Sequence, residues 1–160
     1  MSIEKAAPGT SFAATAVRAV TGSTYPMAFK AKVEARIKRR LGDVVGLNQF
    51  GINLVTMPPG AWSSQRHWHA QEDEFIYILS GELVLVTGAG ETMMRAGDCT
   101  GFPAGNPDGH HLINRTAAEA TYIEVGSRSR DEDVDYPDID MTARRRGSKA
   151  AYFNRKGEPY

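Results

Sequence analysis

Residues 66–87 read RHWHAQEDEFIYILSGELVLVT. Two histidines stand one residue apart, a run of three acidic residues follows, and then come two apolar runs, FIYIL and LVLV, parted by Ser80-Gly81-Glu82. Runs this rich in β-branched and aromatic residues read as strands, and a hairpin is expected with Ser80 and Gly81 at its turn. Side chains two positions apart on a strand share a face. His67 and His69 therefore project together and Trp68 projects away. Glu74 lies an odd number of residues past His69, so one continuous strand would put it on the wrong face. The intervening AQED must turn, and Glu74 must open the next strand and reach back toward the histidines.

The same texture extends outward. FGINLVTM, HHLIN and TYIEVG are further short apolar runs, cut apart by PPG, GAG, AGD and PAGNPDG. Many short strands at close turn spacing argue for a β-sandwich or barrel, and nothing suggests βαβ alternation. The clearest helical candidate is AFKAKVEARIKRRL, residues 28–41, stopped by Gly42, although Val33 and Ile37 would fit a strand equally well. Residues 1–27 read as an arm with one strand near Phe12 to Val20. From Ser127 the chain is polar, with the acidic DEDVDYPDID followed by the basic ARRRGSK, and reads as a solvated tail. Its Tyr136, Tyr152 and Phe153 invite packing against the barrel or a neighbouring subunit.

Bulk properties narrow the function classes. A chain of 160 residues is long enough to bury a core as one domain. Its formal net charge is zero, which gives no field to attract nucleic acid or anionic lipid. No apolar run approaches the roughly 18 residues that a membrane span requires, and no signal-like segment opens the chain. One cysteine, Cys99, allows no internal disulfide and suits a reducing compartment, so the cytoplasm is the expected location. Cys99 has no basic neighbour and reads as a buried thiol. No lysine occurs between Leu41 and Ser148, which argues against a lysine mechanism inside the barrel.

Four histidines serve the whole chain, and the two outside this stretch are the adjacent His110 and His111. Neutral imidazole is the commonest metal ligand. Histidines held in two tight clusters beside carboxylates are therefore candidate ligands, with Glu72 and Asp73 as rivals to Glu74 and His111 as rival to His110.

At this point the chain resembles a known family. Gly60, His67, His69, Glu74 and Gly81 are similar in order and spacing to the first signature of the cupin superfamily. Gly97, Pro103, Gly105, His110 and Asn114 are similar to the second. The loop before His67 is one residue longer than usual, and the loop between Gly105 and His110 is two longer. The likeness is greatest to small single-domain bacterial cupins. It implies an all-β, double-stranded β-helix (jelly-roll) cupin barrel over about residues 46–126, within a single domain of residues 1–160 that adds an N-terminal arm and a C-terminal tail. It also implies one divalent metal ion (Fe, Mn, Ni, Co, Zn or Cu) on His67, His69, Glu74 and His110. The motif offset favours Glu74 over its rivals, and parity with Asn114 favours His110 over His111.

The expected partner is a small polar metabolite, handled by a metal-dependent oxygenase, isomerase or decarboxylase; the alternative is a non-catalytic binding or sensing module. A homodimer is expected, with no nucleic-acid or membrane partner. Gln65, Asn53 and carbonyls near PPGAW are expected to hold the non-ligating histidine nitrogens. The PAGNPDG loop is expected to wall the pocket mouth.

Overall fold

The computed structural model describes residues 2–160. Its elements in chain order are β1 (Ala19–Val20), β2 (Ile37–Arg40), α1 (Leu41–Val44), β3 (Phe50–Met57), β4 (Trp68–His69), β5 (Glu74–Ser80), β6 (Glu82–Thr87), β7 (Gly90–Arg95), β8 (Cys99–Phe102), β9 (His111–Ile113), β10 (Ala120–Ser127), β11 (Asp131–Tyr136), β12 (Met141–Arg146) and β13 (Lys149–Phe153). The strands form a six-stranded sheet in the order β1-β2-β3-β10-β5-β8, a three-stranded sheet β7-β6-β9, and a four-stranded sheet β13-β12-β11-β4. The first two sheets pack face to face as a jelly roll. Among the described residues, no helix is long and apolar enough to cross a membrane.

Alternation decides what each strand buries. On β5, Ile76 and Ile78 point inward and are buried, while Phe75, Tyr77 and Leu79 point outward and stay exposed. Val55 and Met57 of β3, Tyr122 of β10, Leu83 of β6, Met94 of β7 and Leu112 of β9 complete one apolar cluster between the sheets. Each such side chain removed from water stabilises the fold by roughly 1.5–3 kcal/mol.

The segment before β4 runs antiparallel to the segment around β9. Backbone bonds join Gly60 N to Asn114 O (2.8 Å), Asn114 N to Ala61 O (3.0 Å) and Ser63 N to Leu112 O (2.8 Å). The ladder ends where His67 and His110 exchange bonds of 3.2 and 2.8 Å. Fully buried Asn114 anchors it, donating to the carbonyls of Met57 (2.7 Å) and Ala118 (2.8 Å).

Three local expectations are corrected. Ser80-Gly81 is not a hairpin turn: β6 pairs with β7 and β9, and the chain crosses there from one sheet to the other. Gly81 permits the crossing through its positive φ of 75° and its close approach to Ala120. Residues 28–41 form no α-helix; a 3-10 turn at Met27–Phe29 leads to strand β2, and the α-helical turn starts at Leu41 and contains Gly42. The segment after Ser127 is not a solvated extension. It folds as the β11-β12-β13 meander, which pairs through β11 with β4 and buries Glu132, Tyr136 and Met141.

Replacing Gly81 by Ala should destabilise the protein by more than about 1 kcal/mol, since both the backbone and the space are incompatible with a Cβ. A Cβ there would stand 2.7 Å from that of Ala120. The urea midpoint measures the loss, and an unchanged midpoint would contradict the crossing geometry.

Candidate metal centre

The inner face of the six-stranded sheet is graded along the barrel. At one end the facing residues are Val55, Tyr122 and Ile78, all apolar in body and buried. One step along, Asn53, Glu124 and Ile76 face one another across β3, β10 and β5. A further step brings Gly51, Gly126 and Glu74 into line, with Phe102 beyond. Two glycines beside Glu74 remove side chains from the wall and leave room at that end.

His67, His69, Glu74 and His110 meet at this open end. His67 Nε2 lies 3.1 Å from His69 Nε2, and His110 Nε2 lies 3.2 Å from Glu74 Oε2. His69 Nε2 is 3.7 Å from the same carboxylate oxygen. Donor atoms of His67, His69 and Glu74 all fall within 4.8 Å of one another, and His110 joins them through Glu74. His111 is turned away, packing edge-on against Trp62 at 4.6 Å with Nδ1 3.0 Å from the carbonyl of Ser64. Glu72 meets Arg145 and Ser129 N, while Asp73 accepts from Ala104 N.

The donor set fits a divalent metal ion. Bonds of about 2.0–2.1 Å to neighbouring imidazoles at right angles separate the nitrogens by about 3 Å, close to the spacing of His67 and His69. The carbonyl of Gln65, 3.0 Å from His67 Nδ1, can only accept, so Nδ1 carries the proton and Nε2 presents a lone pair. Burial, reinforced by His69 and His110, pushes His67 down to about 3. Burial and then His69 do the same to His110. Both imidazoles are therefore neutral, as coordination needs. Burial, with Glu124 nearby, raises Glu74. Burial would raise Glu124 too, but Lys38, Arg36 and Asn53 outweigh it and hold it at about 2.

A cavity of about 290 Å³ opens beside His69 and Glu74. Its wall carries Lys38, whose Nζ is 2.7 Å from Glu124 Oε2, and Asn53, which donates to the same oxygen at 3.0 Å. Arg128 and Arg145 reach it as well, paired with Asp43 and Glu72. Arg40 is the least committed cation, 61% exposed and 4.0 Å from Asp43.

Several expectations change here. The PAGNPDG loop does not line this cavity. It is pinned behind the cavity wall, with Gly105 N on His69 O (2.8 Å), Ala104 N on Asp73 Oδ1 (2.8 Å) and Asp108 Oδ1 accepting from Gly88 N (2.6 Å). A lysine does reach the barrel, because Lys38 arrives on β2 from outside the lysine-free stretch. Cys99 is exposed, since it pairs opposite Tyr77 on the outward-facing row. The Gln65 and Asn53 side chains serve Phe29 O and Glu124 instead of the imidazoles. His67 Nδ1 finds Gln65 O and, at 3.2 Å, Ser64 Oγ.

Lys38, Arg40, Glu124 and Glu132 were missed by sequence reasoning. Lys38 and Arg40 showed only as charges two apart in a segment read as helix, Glu132 as one of many acids in a segment read as tail, and Glu124 as a lone carboxylate in the apolar run TYIEVG.

A jelly-roll barrel that gathers three imidazoles and a carboxylate at its open end defines a class of small-molecule β-barrel proteins in which a metal commonly sits. A model of the family described as the Cupin domain matches residues 53–126. The crystal structure of a sugar phosphate isomerase of the cupin superfamily from Silicibacter pomeroyi is 43% identical, with 94% of this chain and 96% of that one covered at a TM-score of 0.91. A proposed sugar phosphate isomerase from Acidithiobacillus ferrooxidans is 30% identical over 74% of this chain and 76% of its own, at 0.70. A polyketide cyclase from Streptomyces resistomycificus shares the fold at 21% identity and a TM-score of 0.60, over 74% of this chain and 78% of its own. No curated protein matches the chain. The chain belongs to the cupin superfamily.

Acid should destabilise the protein when chelator keeps it free of metal. Between the usual histidine value of 6.5 and about 3, the unfolded chain takes up protons that His67 and His110 refuse in the fold. Stability therefore falls as pH drops through that window. Glu74, raised in the fold, acts with the opposite sign above its usual value of 4.5. Glu74→Gln removes that opposing contribution, so its urea midpoint should fall more steeply with acid than the wild type's. Flat profiles in both would contradict neutral, buried imidazoles.

Proposed function

We propose that the protein binds one divalent metal ion through His67, His69, Glu74 and His110, and isomerises a small phosphorylated sugar beside it. The carrying observation is the convergence of these four side chains on one point, where His69 and Glu74 line a cavity that mixes cations and carboxylates. The names of the two relatives at 43% and 30% identity supply the substrate class and reaction. A bound ion would supply Lewis acidity toward the carbonyl and neighbouring hydroxyl of an open-chain sugar.

The chain's own residues do the rest. Arg40 at the rim offers a charged fork to the phosphate. Glu124, kept ionised by Lys38, accepts hydrogen bonds from sugar hydroxyls. At about 290 Å³ the cavity suits a small metabolite and excludes a polymer. The names of the two relatives favour an isomerase over an oxygenase or decarboxylase, and the neutral, disulfide-free chain suits the cytoplasm.

Protein loaded separately with Mn, Fe, Co, Ni, Zn or Cu should interconvert at least one aldose phosphate and its ketose partner, read by proton NMR in heavy water. A ligand-induced thermal shift without interconversion would make it a binding module, and neither response would remove the sugar-phosphate reading. Arg40→Ala should raise KM about tenfold, equivalent to about 1.4 kcal/mol, with little change in kcat. His67→Ala, His69→Ala and His110→Ala should strip most metal while His111→Ala retains it, by elemental analysis. Equal loss from the His110 and His111 variants would overturn the ligand assignment.

We also infer a homodimer formed through the outer face of the six-stranded sheet. Phe75, Tyr77 and Leu79 stand exposed in one row there, beside an apolar groove lined by Ile37, Leu54 and Ile123. Light scattering should give a dimer for the wild type and a monomer for Tyr77→Lys. A monomeric wild type would refute the interface.

A further inference from the structure

His69 has two ring nitrogens in different surroundings. Nε2 faces His67 Nε2 at 3.1 Å and Glu74 Oε2 at 3.7 Å. Nδ1 is buried, has no hydrogen-bond partner among the described residues, and lies 3.8 Å from Glu132 Oε1. Glu132 comes from β11, beyond the residues that the family model matches. Its side chain is 4% exposed, which is unusual for a carboxylate. It accepts from Ala70 N at 2.8 Å and from Gln71 N at 3.2 Å. Both N–H groups reach Oε1, the oxygen nearest His69, and Gln71 N reaches Oε2 as well at 3.2 Å. A carboxylate has about four lone-pair sites, so with the Gln71 N–H taken by Oε2 one site on Oε1 is left for His69.

The proton count gives this arrangement its meaning. His67 presents a lone pair at Nε2, because its Nδ1 proton is held by Gln65 O. Without an ion, His69 can satisfy that lone pair by donating Nε2–H. With an ion between them, both Nε2 atoms must offer lone pairs, and the His69 proton must sit on Nδ1. That buried N–H then needs an acceptor, and the carboxylate aimed at it is Glu132.

We propose that Glu132 is the positioning residue of the metal centre, accepting a hydrogen bond from His69 Nδ1–H and so holding Nε2 toward the ion. The same strand braces the other histidine, since Tyr136 stacks over His67 at 5.7 Å. The meander that follows the barrel is thus part of the site, and it makes the ion's affinity depend on a residue that touches no substrate. Partners of this kind are worth about 10–100-fold in metal affinity. The inference rests on the metal reading above.

Zinc(II) on the full chain is the probe, because it is diamagnetic. Its affinity is measured by competition with a chelating dye, and the His69 tautomer by nitrogen-15 NMR. Wild type should show a slowly exchanging proton on His69 Nδ1 with zinc on Nε2. Glu132→Gln, which keeps a neutral acceptor, should bind zinc about tenfold more weakly, and Glu132→Ala about 100-fold more weakly. The Nδ1 proton should exchange faster in both. If Glu132 serves only the backbone of Ala70 and Gln71, Glu132→Gln will bind zinc within twofold of wild type with the Nδ1 signal unmoved, and the proposal falls. Should neither variant fold, wild type alone decides: zinc on Nδ1, or a rapidly exchanging Nδ1 proton, overturns it. A wild type that binds no zinc, manganese, cobalt or nickel would instead sink the metal reading, and this proposal with it.

Discussion

The exchange of backbone hydrogen bonds between His67 and His110 is the interaction on which the site depends. It ends a short antiparallel ladder whose other bonds tie Gly60, Ala61 and Ser63 to Leu112 and Asn114. Opposed residues in such a ladder share a face, so imidazoles from two distant motifs are delivered to one point. Asn114 closes the far end with buried bonds to Met57 and Ala118. Its place in the second motif thereby gains a physical reason: it holds the strand that carries His110.

Electrostatics follow from position along the barrel. The same inward rows that bury Val55, Tyr122 and Ile78 at one end become Asn53, Glu124 and Glu74 at the other. Burying ionisable groups is costly unless they are paired, and the carboxylates Glu72 and Glu124 are met by cations. Lys38 neutralises Glu124, and Arg145 neutralises Glu72. The imidazoles avoid the cost by remaining uncharged. The glycines at 51 and 126 then leave beside Glu74 the space that makes the site a cavity instead of a packed core.

The meander of β11 to β13 was the least legible part of the sequence. DEDVDY places an acidic residue at nearly every position, and composition alone reads it as solvated. Pairing of β11 with β4 reverses that reading by covering one face of the strand. Glu132 and Tyr136 fall on the covered face beside the histidines, while Asp131 remains exposed. Burial of an individual charge is decided by what lies opposite it, which no local pattern contains. Residues 37–40 failed for a related reason. IKRR suits a helix or a strand by composition, and only its pairing with β3 sends Lys38 and Arg40 inward.

By itself the sequence determined the fold class and which residues could meet. Strand periodicity and turn residues are local properties, so an all-β sandwich or barrel was readable, as were the shared face of His67 and His69 and the turn before Glu74. The opposite parities of His110 and His111 were readable for the same reason. The choice of a jelly-roll barrel came from the resemblance of the two motifs to cupins. Tertiary structure alone decided how the strands join, since Gly81 turns out to be a crossing between sheets whose geometry depends on the close approach of Ala120. It also decided which charges line the cavity and that a carboxylate from β11 stands beside His69. Those outcomes depend on contacts between segments far apart in the chain, and their energies exist only once the sheets have packed.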